Sequence, residues 1–92
     1  MKKIISIERL TAMTNLVIMD NGKSYKYSNR KLVELISDEN ISIENAFEIY
    51  NYFITTNVNT YGITTYKFSR PLVIEAKTRW KTREALAKIN RA

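Results

Sequence analysis

Apolar and polar residues alternate through two β-prone runs on either side of Asn21-Gly22. Asn-Gly supplies the two positive-φ positions of a type I′ turn, so the segment reads as a β-hairpin. Pairing outward from that turn sets Asp20 opposite Lys23, Ile18 opposite Tyr25 and Leu16 opposite Tyr27. Leu16, Ile18, Tyr25 and Tyr27 then share one face, and Val17, Met19, Ser24 and Lys26 share the other. An earlier strand over about 3–10 joins the hairpin through Thr11–Asn15, which predicts a three-stranded meander.

Beyond Ser28 the period changes from two to that of a helix. Leu32, Val33, Leu35 and Ile36 make the buried stripe of a short helix over about 29–38, with Ser28 as its N-cap. Ser42 caps a second helix over about 43–55. There Ile43, Ala46, Phe47, Tyr50, Phe53 and Ile54 fall on one face, and Glu44 sits in the first turn, where the helix dipole favours negative charge. Asn57 to Gly62 reads as a loop and Ile63–Ser69 as a fourth strand. The last segment has two readings. As a helix from Pro71, a favourable first position, it places residues 72, 73, 76, 80 and 87 on one face. Glu75/Arg79 and Glu84/Lys88 then stand at supporting i, i+4 spacing. As a strand, Leu72-Val73-Ile74 continues the sheet, and Thr82 caps a shorter helix over 83–91. Twenty residues without Gly or Pro favour the long helix. The expected fold is α+β over a single domain, 1–92. A small antiparallel sheet, the N-terminal three-stranded meander plus a later strand, packs against two acidic-faced helices and a basic C-terminal helix.

Charge divides the same chain into three blocks. Residues 1–31 carry seven Lys/Arg against two acids, residues 32–66 carry five acids and no base, and residues 67–92 carry eight bases against two acids. The formal net charge of +6 therefore comes from two basic ends around an acidic middle (Glu34, Asp38, Glu39, Glu44, Glu48). Like charges gathered together repel, so the sorting implies an anionic partner for the ends, and nucleic acid fits best. Composition excludes other classes of function. The chain has no His and no Cys, which removes the commonest general base, thiol nucleophiles and typical zinc ligand sets. Gly22 and Gly62 stand alone, so there is no glycine-rich phosphate loop. The apolar start at Ile4-Ile5 ends at Glu8-Arg9, and no run reaches the ~18 residues of a membrane span, so a cytoplasmic protein is expected.

Four constellations bear on chemistry. In the C-terminal segment Lys77, Arg79, Lys81, Arg83, Lys88 and Arg91 surround Trp80; a helix puts Lys77, Lys81 and Lys88 on one exposed stripe and Arg79 and Arg83 on another edge. Trp80 reads as a core anchor. Tyr25-Lys26-Tyr27 and Tyr66-Lys67-Phe68 repeat one arrangement, aromatics at i and i+2 of a strand with Lys on the opposite face; such aromatics are ordinarily core. Ser28-Asn29-Arg30-Lys31 sets two bases beside a helix N-cap. Finally, Leu72-Val73-Ile74-Glu75-Ala76-Lys77, read as a strand, resembles the second half of the metal-dependent nuclease signature PD-(D/E)xK. The resemblance covers six residues and implies a Mg²⁺-holding acid at Glu75 and a water-orienting Lys77. The chain has no Pro-Asp pair, and the upstream acids Asp38, Glu39, Glu44 and Glu48 lie in or between the expected helices. On a helix Glu75 pairs with Arg79 instead.

The reading that follows is a small basic nucleic-acid-binding accessory protein, acting by occupancy and not as an enzyme, with RNA favoured slightly over DNA. Its candidate nucleic-acid-binding residues are Lys23, Lys26, Arg30, Lys31, Lys67, Arg70, Lys77, Arg79, Lys81, Arg83 and Lys88, expected to converge on one surface. No cofactor or metal is expected. The alternative is a protein-binding inhibitor or modulator of a host or defence enzyme, of the kind phages make, binding its acidic or nucleic-acid-binding target together with RNA. A homodimer suits either reading, because a domain this small gains core by pairing.

Overall fold

The computed structural model describes residues 3–58 and 68–89. Strands β1 (Ile4–Arg9), β2 (Thr14–Met19) and β3 (Ser24–Ser28) form an antiparallel sheet in the order β1-β2-β3. Helices α1 (Asn29–Leu35), α2 (Ile43–Val58) and α3 (Arg70–Ile89) follow. The fold is α+β, as the sequence pattern predicts. The last segment takes the long-helix form without a break. The expected fourth strand lies outside the described residues apart from Phe68 and Ser69, which are not in a strand.

The hairpin register differs from the expected one by a single residue. Observed partners are Val17 with Tyr25, Leu16 with Lys26 and Asn15 with Tyr27. The cause is the turn. Gly22 N–H donates to the Met19 carbonyl at 3.0 Å, and Met19 N–H donates to the Lys23 carbonyl at 2.9 Å. Gly22 alone has positive φ (84°) among the described residues. This is a three-residue loop, a turn closed by one left-handed glycine, and not the two-residue type I′ turn. Because strand side chains alternate, the slip exchanges the faces. Asn15, Val17 and Met19 are buried, with Tyr25 and Tyr27 on their side; Leu16, Ile18 and Lys26 face away from the helices.

Each helix begins at a serine. Ser28 Oγ accepts from Lys31 N–H at 3.1 Å, Ser42 Oγ from Asn45 N–H at 3.1 Å, and Ser69 Oγ from Leu72 N–H at 3.4 Å. These hydroxyls satisfy amides that have no partner in a helix's first turn. Helix α1 ends at Leu35, sooner than the pattern implied. Its exit is tightened by i, i+3 bonds from Ile36, Ser37 and Asp38 back to Val33, Glu34 and Leu35.

The core lies between the sheet and the helices. It joins Ile4, Val17 and Met19 to Leu32, Val33 and Ile36 of the α1 region, Ile49 and Phe53 of α2, and Ala76 and Trp80 of α3. Helix α3 packs on α1 and α2 and not on the strands. Inside this core is a polar knot. The Tyr52 hydroxyl donates to Asn15 Oδ1 at 2.6 Å, while Asn15 Nδ2 donates to Asn29 Oδ1 at 2.9 Å and to the Tyr27 carbonyl at 3.2 Å. Asn29 in turn donates to the Ala12 carbonyl. Buried amides are tolerable only when bonded in this way.

Candidate nucleic-acid interface

Helix α3 carries four of the candidate cations on one edge. Arg70, Lys77, Lys81 and Lys88 are separated by seven, four and seven residues, near-whole numbers of helical turns, and all four are exposed. At about 1.5 Å per residue the stripe is roughly 27 Å long. Lys81 lies 4.0 Å from Glu84; Arg70, Lys77 and Lys88 have no carboxylate partner among the described residues.

The remaining arginines of the candidate set have work inside the molecule. Glu75 receives Arg30 Nη1 at 2.5 Å on one oxygen and Arg79 Nε at 2.9 Å on the other, and Arg30 Nε also reaches Glu34 at 3.1 Å. This ladder ties α1 to α3. The hydrogen bonds from Arg30 and Arg79 hold the Glu75 carboxyl below the ordinary carboxylate range, and those that Arg30 donates to Glu75 and Glu34 push Arg30 up. Arg79 further donates to Ser37 Oγ at 3.1 Å. Arg83 reaches the carbonyls of Ile36 (3.1 Å), Asp38 (2.7 Å) and Ile41. Those groups face it where the chain leaves α1, and a guanidinium with five donors can serve several at once. Arg9, outside the candidate set, lies 3.7 Å from the Phe68 ring centroid and donates to the carbonyls of Thr11 and Ala12. Burial raises the Tyr52 pKa, with Arg9 opposing it.

Lys26 stands apart from α3. Lys26 is on the sheet face turned away from the helices, Lys23 closes the hairpin loop, and Lys31 is exposed on α1. Lys26 therefore does not join the α3 stripe, whereas Arg30 of the same basic end meets α3 through Glu75. Lys67 lies outside the described residues. Trp80 is core, only 8% exposed, as its surroundings in the sequence suggest. Tyr25 and Tyr27 stack on each other at 5.8 Å, on the sheet's helix-facing side.

Sequence reasoning missed the cleft beside the stripe. The start of α2 and the end of α3 enclose about 580 Å³ lined by Ile43, Glu44, Phe47, Glu48, Trp80, Glu84, Ala87 and Lys88. Phe47, expected in the core, is 46% exposed and meets Trp80 edge-on at 5.2 Å. Its place between Glu44 and Glu48 on the helix was the available signal: an aromatic at the margin of the apolar face, flanked by charge. No group of three or more metal-binding side chains occurs among the described residues, and no helix there is long and apolar enough to cross a membrane. Comparison with known proteins finds no match to this chain by family, by curated sequence or by solved structure.

Proposed function

We propose that this protein binds nucleic acid along the phosphate backbone, by occupancy and without turnover, with α3 as the contact element. The observation that carries the reading is the aligned stripe of Arg70, Lys77, Lys81 and Lys88, of which, among the described residues, only Lys81 has a carboxylate within 4.0 Å. Lysine serves a phosphate as a point charge, whereas base edges are read best by the arginine fork. Arg30, Arg79 and Arg83 are engaged internally. Three of the four stripe residues are lysines, so the stripe itself holds the backbone and does not read sequence, and RNA is the favoured polymer because none of the described elements forms a major-groove reading head.

Neutralising four phosphates should weaken binding between 50 and 200 mM salt by about 50-fold for a single strand and about 150-fold for a duplex. Fluorescence anisotropy with a labelled oligonucleotide measures this. The Lys77→Glu/Lys81→Glu variant should lose most of the affinity and flatten the salt dependence; salt-insensitive binding would overturn the reading.

A second reading, a protein-binding modulator, is supported by Leu86 and Ile89 at the end of α3, 55% and 68% exposed. Recovery of one stoichiometric protein partner that survives nuclease treatment would favour it.

A further inference from the structure

Resting on the nucleic-acid reading, we propose that the cleft between α2 and α3 is a nucleobase pocket, and that the ligand is a single strand whose phosphates follow the α3 stripe while one base turns into the cleft. Three observations meet there. The cleft has an aromatic floor: Phe47 is half-exposed and meets Trp80 edge-on at 5.2 Å, and Tyr50 lies against both rings, 6.2 Å from Phe47 and 6.1 Å from Trp80. Its volume of about 580 Å³ falls within the range of clefts that hold small organic ligands. Lys88 lies on its rim, and Lys77 and Lys81 continue along the same edge of α3, so a backbone held by the three lysines passes beside the opening.

The opposite rim decides between one strand and two. Glu44 and Glu48 of α2 are exposed there. Packed helices lie about 8–10 Å apart, and an A-form duplex carries its second backbone across a wide, shallow minor groove. A duplex laid along α3 would bring its second phosphate strand over those carboxylates. A single strand brings only a base, whose flat face can stack on Phe47. The carboxylates also set a preference among bases. Glu84 is 4.0 Å from Lys81, and Glu48 accepts one bond from Asn45 at 3.2 Å, which leaves acceptor oxygens toward the cleft. Carboxylates accept from exocyclic amines, which cytosine and adenine have and uracil lacks.

The test titrates the full chain with labelled 12-residue oligocytidylate, oligoadenylate and oligouridylate and with an RNA duplex, reading anisotropy together with emission from Trp80, the single tryptophan. The pocket predicts at least tenfold preference for single strands over the duplex. It predicts weaker binding of oligouridylate than of the other two, and a change in Trp80 emission on binding. Phe47→Leu keeps an apolar side chain and removes the ring; it should cost about tenfold in single-strand affinity with the salt slope intact. Glu44→Gln/Glu48→Gln, a surface change, should raise duplex affinity and erase the base preference. If single strand and duplex bind alike, Trp80 emission is silent and both variants behave as wild type, the pocket falls while salt-dependent backbone binding stands. If no oligonucleotide binds at low salt, the backbone reading fails and the pocket with it.

Discussion

Gly22 holds φ at 84° with nothing within 4 Å of where a Cβ would stand. Substitution there meets no neighbour, so its cost is backbone strain alone, about 1–2 kcal/mol for a side chain in the left-handed region. Gly22→Ala should lower stability by that amount in urea denaturation. Asn21 is different, since its φ is not positive. Its side chain accepts one bond from Lys23 N–H at 2.9 Å, and Asn21→Ala should cost less than Gly22→Ala. A true type I′ turn would make the two comparable, so the pair of variants reports the loop type in solution. The Asn-Gly dipeptide shows where the chain reverses. It leaves the loop length open, and that length is what assigns side chains to faces.

Among the elements, the join between α1 and α3 depends most on one side chain. Arg83 serves carbonyls of Ile36, Asp38 and Ile41 where α1 has ended. Removing it strands acceptors in a partly buried place, and bonds to a charged donor are each worth about 1.5–3 kcal/mol. Arg83→Ala should therefore destabilise by at least about 2 kcal/mol, and Arg83→Lys should recover little, since an ammonium cannot span the three acceptors. Equal chemical denaturation midpoints for wild type and Arg83→Ala would contradict this. The element pattern itself was readable in the sequence. Period-two alternation through β2 and β3, serine caps at Ser28 and Ser42, and the uninterrupted run to Ile89 all correspond to observed structure. The uses of the charged residues were not. Spacing reveals pairs within one helix, such as Glu75 with Arg79. It is silent on Arg30 reaching Glu75 or Arg83 reaching Asp38, because those contacts depend on how α1 and α3 are laid together. For the same reason the lysines of α3 could be grouped from sequence, whereas the cleft lined by Phe47 and Trp80 could not: it belongs to two helices at once.

At the scale of the whole molecule, arginine and lysine divide the positive charge between them. Four guanidinium groups knit the layers, with Arg9 at the sheet, Arg30 and Arg79 on Glu75, and Arg83 on the α1 exit, while Arg70 and the described lysines stay at the surface. Acid should expose this division. Glu75 is held below the usual carboxylate range by Arg30 and then Arg79. Its contribution to stability is therefore complete above the value of an unfolded glutamate, about 4.3, and is lost as pH falls through the lower folded value. Urea midpoints of the wild type should fall between about pH 5 and pH 3, and Glu75→Gln, weaker at neutral pH, should show a smaller fall over that interval. Parallel curves would mean that the ladder contributes nothing.

One further pairing governs how such molecules can meet. Asn45 of α2 presents its amide to the outer edge of β1, accepting from Ile4 N–H at 2.9 Å and donating to the Ile4 carbonyl at 3.2 Å. A side chain thereby fills the place a neighbouring strand would take at the first residue of β1, and it obstructs recruitment of another chain there. The far margin, five residues of β3 with a lysine at its centre, makes a poor template for stacking copies.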